Sequence, residues 1–263
     1  MGLSQAYGRS VRVQDVEIHV EDRGRGDPLV LLHGYPGTGA DWAEVFDLEG
    51  LSQRYRVIAP DARGHGGSTN PSGDFSLRQC AIDLLELLDR LHVERFRAIG
   101  MSLGAKTLLH VATRAPERVS SMVLVSATPY FPREAREAMR AAAATVHTPE
   151  EWQLMRSRHR HGDAQIEALW RLAGRFAESY EDMSFTPPHL ATIRARTLVV
   201  NGDRDPLYPV ELSVQLYRAI PEASLWIVPG AGHGPIFGDA REPFVRTALA
   251  FLDHEDTGIA SRT

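Results

Sequence analysis

The hydrophobic period of the chain changes along its length. Val11 and Val13, then Val16, Ile18 and Val20, alternate with polar positions that include Glu17 and His19. A period of two predicts a half-exposed antiparallel hairpin turning near Gln14 and Asp15. Beyond it the apolar positions become continuous, at 29–32, 57–59, 96–99, 122–125, 197–200 and 225–228. Such runs need cover on both faces, as parallel strands between helices do. Helical spacing falls between them. Leu77, Ala81, Leu84, Leu88 and Leu91 line one helical face. A second helix follows over Leu103–Arg114 and is ended by Pro116, and a third over Val210–Ala219 is closed by Pro221. Strand alternating with helix predicts an α/β fold, a doubly wound and mostly parallel sheet.

One stretch breaks the alternation. Residues 131–188 hold no strand candidate and divide into three helical patterns. The first, over 133–145, is rich in alanine. The second begins after Thr148, with Pro149 in the first turn and Glu150 and Glu151 facing the helix dipole. The third carries Ile166, Leu169, Trp170, Ala173, Phe176 and Tyr180 on one side. An all-helical insertion in an α/β chain predicts a lid over a site, with 1–130 and 189–263 as the core domain. The competing reading is a subdomain that only adds stability. From His254 the tail is polar and is expected to fray.

Composition narrows the class without changing the fold. The 263 residues are 43% hydrophobic and 24% charged, as in a globular protein with a sizeable core. A formal net charge of -5 gives no electrostatic reason to expect a nucleic-acid partner. With Cys80 as the single cysteine no intrachain disulfide forms, which suits a reducing compartment. Residues 1–10 lack the apolar core of a signal peptide, and no apolar stretch reaches membrane-span length. The expectation is a cytoplasmic protein with no membrane partner.

The candidate chemistry sits where strands end. Gly100-Met101-Ser102-Leu103-Gly104 lies between the strand at 96–99 and a helix, the context a nucleophile elbow requires. It exposes the serine hydroxyl and places it at a helix N-terminus, which favours negative charge. Such a hydroxyl needs a base. His233, within Gly230-Ala231-Gly232-His233-Gly234 after the last strand, is the best placed of 11 histidines. The base needs an orienting carboxylate. Asn201-Gly202-Asp203-Arg204-Asp205-Pro206 offers Asp203 and Asp205, and spacing does not choose between them. His33-Gly34-Tyr35-Pro36-Gly37 can present a backbone N–H, that of Tyr35, to an oxyanion, and the Leu103 N–H is the second candidate donor.

Together these segments resemble the α/β-hydrolase superfamily over nearly the whole chain, in the order serine, aspartate, histidine. The resemblance implies Asp205 as the acid, three residues beyond Gly202. It identifies Asp61 to Ser68 as the D-x-R-G-x-G-x-S loop, mainly structural, which leaves His65 outside the site. It makes 131–188 the cap, between strands six and seven. Serine at position 102 argues against the dehalogenases and epoxide hydrolases of the superfamily, which carry aspartate there.

The expected function is that of a serine hydrolase cleaving small-molecule carboxylic esters through an acyl-enzyme, with no metal or organic cofactor. Relatives use the same triad on enol-lactones, on C–C bonds of diketones and in perhydrolysis. In a different class, some act as ligand-binding signalling proteins. Met101, Phe131, Trp170, Leu207 and Tyr208 are the expected substrate-binding residues, beside Tyr35 and Leu103. His159-Arg160-His161 reads as a solvated basic patch and not a metal site, because residues two apart on a helix face different ways. Cys80 reads as inert core. Lys106 is weighed between a substrate contact and a solvated or structural cation. The oligomeric state stays open, since the cap's apolar face can serve a pocket or a partner.

Overall fold

The computed structural model describes residues 8–254. The tail beyond His254, expected to fray, and residues 1–7 of the N-terminal stretch lie outside the described residues. The hairpin forms as its alternation predicts, with β1 (Gly8–Val13) antiparallel to β2 (Val16–Arg23) and Val13 opposite Val16. There follow β3 (Asp27–Leu32), α1 (Leu48–Ser52), β4 (Tyr55–Pro60), α2 (Leu77–Arg90), β5 (Phe96–Met101), α3 (Leu103–Arg114) and β6 (Val119–Val125). The helical stretch supplies α4 (Arg133–Ala143), α5 (Pro149–Arg158), α6 (Asp163–Glu178) and the short α7 (Pro187–Leu190). The chain then returns through β7 (Arg196–Gly202), α8 (Val210–Ala219), β8 (Ala223–Val228) and α9 (Arg241–Asp253).

Among the described residues the strands form one sheet in the order β1-β2-β4-β3-β5-β6-β7-β8. Strand β2 is antiparallel to both neighbours and the other pairs are parallel. The continuous apolar runs are explained by cover on both faces. Val30 and Leu32 of β3 point into a core with Leu84 and Leu88 of α2 and Leu108 of α3, while Leu29 and Leu31 point the other way. That second face is covered by Trp42, Phe46, Leu51 and, from α9, Phe244, Ala248 and Leu252. Helix α9 is an element that the strand–helix alternation does not predict. Its signal is there, since Phe244, Ala248 and Leu252 recur every four residues and are fully buried.

The winding reverses beside β3, which pairs with β4 on one side and β5 on the other. A ligand crevice is expected at that reversal, at the carboxyl ends of the strands. There Leu32, the last residue of β3, pairs with Gly100, the first residue of the elbow.

The helices between β6 and β7 do not float free. Phe131, Ala135, Leu172 and Phe176 join the main core, while Met155, Ile166 and Leu169 make a separate cluster with Trp152 and Trp170. Thr148 caps α5 as expected: its hydroxyl accepts from the Glu151 N–H at 3.2 Å, and Glu151 accepts the Thr148 N–H at 2.8 Å. Helix α6 ends at Glu178, so Tyr180 falls beyond its apolar side and is exposed. No helix among the described residues is long and apolar enough to cross a membrane.

Candidate active site

Strand β5 delivers Ser102 into a turn that only a narrow backbone permits. A Cβ on Gly104 would stand 2.3 Å from the Leu32 carbonyl oxygen, so the helix can approach β3 only with glycine there. Ser102 itself has φ +48 and ψ -102, outside the favoured regions for a residue with a side chain. Such a conformation costs roughly 1–3 kcal/mol and persists only where its surroundings hold it. Here the Ser102 N–H donates to the Val125 carbonyl at 2.8 Å and its own carbonyl accepts from the Lys106 N–H at 3.0 Å.

The structure brings Ser102, His233 and Asp205 together. His233 Nε2 lies 2.9 Å from Ser102 Oγ, and His233 Nδ1 lies 2.9 Å from Asp205 Oδ2. The Asp205 side chain is fully buried. Its other oxygen accepts the N–H groups of Leu207 at 2.8 Å and Tyr208 at 3.2 Å. Asp203 is exposed and instead accepts the Gly230 N–H at 2.6 Å, tying two loops. Those loops meet closely, since a Cβ on Gly202 would stand 2.1 Å from the Ala231 carbonyl oxygen. Two polar residues that the sequence reasoning missed hold the assembly. Ser126 Oγ donates to the His233 carbonyl at 2.7 Å, and Asn201 Nδ2 donates to the Tyr208 carbonyl at 3.0 Å. Both directly follow or sit within buried strands, where a lone polar residue is the available signal.

The two N–H groups expected as oxyanion donors belong to α3 and to the turn after β3. Leu103 opens α3, where an N–H has no partner within the helix. The facing turn is tied internally by the Gly37 N–H and His33 Nδ1, both on the Gly34 carbonyl at 2.8 Å, bonds that do not use the Tyr35 N–H. His33 Nε2 also accepts the Ala62 N–H at 3.0 Å, which anchors the turn to the Asp61 loop. The Tyr35 side chain turns into the helical stretch, its hydroxyl donating to the Leu169 carbonyl at 2.7 Å.

The remaining expected contacts divide four ways. Tyr35 and Met101 line a cleft of about 200 Å³ with Trp42, Arg158, Ile236 and Phe237. Phe131 and Tyr208 close around Lys106, which is buried and not solvated. Leu207 is partly buried and packs against the main core. The structure does not bring Trp170 to this site. It stacks on His147 with ring centroids 3.6 Å apart and packs edge-on to Trp152, because α5 and α6 need it for their own cluster.

His159-Arg160-His161 also departs from expectation. Helix α5 ends at Arg158, so these residues are not helical, and His159 is buried. His159 Nδ1 accepts the Gly66 N–H at 2.9 Å and Nε2 donates to the Pro36 carbonyl at 3.1 Å. The Arg160 N–H adds a bond to the Gly66 carbonyl at 3.0 Å. The segment thus fastens the helical stretch to the Asp61 and Tyr35 loops.

Burial holds His159 below its usual range and pushes His65, beneath it, down to about 3. Both hold a proton less readily when folded than when unfolded, where a histidine titrates near pH 6.5. Their contribution to stability is therefore flat above about pH 6.5 and falls as pH drops from there. His65 alone should cost about 2 kcal/mol by pH 5, at about 1.4 kcal/mol per unit. Urea denaturation at pH 7.5 and pH 5 measures this. The His65→Gln variant should lose less between the two, and an equal loss in both chains would refute the assignment.

A family model described as the alpha/beta hydrolase fold matches residues 27–148, and one described as TAP-like protein matches residues 181–254. A 2-hydroxy-6-oxononadienedioate/2-hydroxy-6-oxononatrienedioate hydrolase of Pseudomonas putida is 31% identical over 91% of this chain and 93% of its own. A pimeloyl-[acyl-carrier protein] methyl ester esterase of Nitrosomonas europaea is 38% identical over 45% of this chain and 44% of its own. The solved structure of an esterase from Exiguobacterium antarcticum superposes with a TM-score of 0.76 at 23% identity, over 94% of this chain and all of that one.

Proposed function

The chain belongs to the α/β-hydrolase superfamily, and from that premise we propose a serine hydrolase of carboxylic esters with Ser102 as its nucleophile. The observation that carries this reading is the unbroken hydrogen-bond path from Ser102 Oγ through His233 to buried Asp205, with both links at 2.9 Å. His233 Nε2 takes the hydroxyl proton as Oγ attacks the ester carbonyl. The Tyr35 and Leu103 N–H groups bind the developing oxyanion, one such donor being worth about 3 kcal/mol of barrier. His233 returns the proton to the leaving alkoxide. Water then attacks the acyl carbon as His233 takes its proton, and His233 passes that proton to Ser102 Oγ as the acyl–Oγ bond breaks and the acid leaves. The helical stretch 131–188 serves as the cap, held over the site by Tyr35 and His159.

The relative named for a 6-oxo acid favours a second reading, hydrolysis of a C–C bond beside a ketone by the same residues. A panel of chromogenic esters, enol-lactones and diketones of graded chain length separates the two. Esters should give the highest kcat/KM, with repeated turnover. A diketone or lactone faster than every ester by about tenfold, or about 1.4 kcal/mol in barrier, would replace the ester reading. A single slow event with every compound would favour a ligand-binding signalling role.

A further inference from the structure

Lys106 is the group at this site that the triad leaves unused. It stands one helical turn beyond Ser102 on α3 and is 4% exposed. Nζ lies 2.7 Å from the Tyr208 hydroxyl and 3.5 Å from Ser102 Oγ. The rings of Phe131 and Tyr208 enclose it, with centroids 5.2 and 4.9 Å from Nζ. Its surroundings are otherwise poor in charge. From α3 it faces Ser102. From the start of the cap it faces Phe131, with the Arg136 guanidinium also against that ring. From the loop after β7 come Asp205 and Tyr208, and from the loop after β8 comes His233, which already holds Asp205. An ammonium group buried without a carboxylate of its own is poorly stabilised. Burial pushes Lys106 down to about 7, against a smaller opposing pull from Asp205. Near neutral pH much of it is therefore free amine, which has a lone pair to offer.

We propose that Lys106, oriented by Tyr208, is a second base on Ser102 Oγ. This rests on the reading of Ser102 as nucleophile and adds a proton path to it. As Oγ forms its bond to the electrophilic centre, the O–H bond breaks and the proton passes to Nζ, giving the ammonium. That ammonium then supplies the proton to the departing group. Nζ keeps one N–H on the Tyr208 hydroxyl, which turns its lone pair toward Oγ. Burial drives the Tyr208 phenol far above its ordinary value, so it orients the amine without giving up its own proton. With His233 present the proton goes to Nε2, the nearer acceptor at 2.9 Å against 3.5 Å. The Lys106 path is exposed when His233 is removed.

The test labels Ser102 with a fluorophosphonate probe, whose fluoride leaves as Oγ bonds phosphorus. Wild type, His233→Ala, His233→Ala with Lys106→Met, and a Ser102→Ala blank are compared from pH 5.5 to 9. Methionine keeps the length and suits the apolar walls, and circular dichroism checks the fold. His233→Ala should label at least about tenfold faster than the double variant at pH 8. Its rate should rise through about pH 7, where the amine forms, while the double variant stays flat. Adding Tyr208→Phe to His233→Ala removes the oxygen that shares the ammonium charge, so the remaining rise should move to lower pH. Equal rates with and without Lys106, or a flat profile in His233→Ala, would overturn the proposal while leaving the triad standing. A wild type that labels but turns over no ester overturns the ester reading alone. An unlabelled wild type overturns both.

Discussion

Ser102→Ala is expected to lower kcat/KM on a chromogenic short-chain ester by at least about a thousandfold, because residues of such a triad act as a unit. The size of the effect follows from what remains. Alanine keeps the Cβ, so the strained backbone at φ +48 is neither relaxed nor worsened. The glycine contact to Leu32 and the bond from the residue 102 N–H to the Val125 carbonyl do not involve the hydroxyl. The variant should therefore fold, keep both oxyanion donors and bind substrate. What it lacks is the oxygen proposed to form the acyl intermediate, and neither His233 nor Lys106 replaces it on the same trajectory. Steady-state kinetics beside a thermal melt checks this. Activity retained within about tenfold, in a variant that melts like the wild type, would mean that another group attacks the ester.

The elbow was readable because its requirements are local. A strand, two glycines around x-Ser-x and a helix start are all set within a few residues of Ser102. His233 was readable for a related reason, as a histidine among glycines just after a strand. The choice between Asp203 and Asp205 was not local. Both belong to one turn, so spacing leaves them open; the family resemblance selects Asp205, and Asp205 is the carboxylate that meets the imidazole in the folded chain. Lys106 was harder still. Its partners Phe131 and Tyr208 come from the start of the helical stretch and the loop after β7, so its burial is a property of the assembled fold. Trp170 misled in the opposite way. It does lie on the apolar side of α6, but Trp152 and His147 take it up there. The same assembly explains His159, whose partners lie in loops about 90 or more positions away.

Asp205→Asn is expected to lower turnover by about a thousandfold or more, and Asp203→Asn to leave it within about threefold, through the tautomer that each change imposes on His233. At position 205 the loop dictates how an amide must sit. The N–H groups of Leu207 and Tyr208 both point at Oδ1, so the amide oxygen has to stay there. That turns the NH2 group toward His233 Nδ1, where the carboxylate oxygen now lies at 2.9 Å. A donor facing Nδ1 forces the imidazole proton onto Nε2, the atom that must accept from Ser102. The hydrogen bonds of the loop survive, so the loss is in catalysis and not in folding. At position 203 the demand is for a single acceptor, toward the Gly230 N–H, and asparagine supplies one. Nitrogen-15 NMR of the imidazole reads the tautomer directly while kinetics reads its consequence. If Asp203→Asn were the more damaging in a folded protein, the acid would be misassigned. If Asp205→Asn lost activity with the Nε2 tautomer unpopulated, the carboxylate would act through its charge on the imidazolium and not by orienting the base.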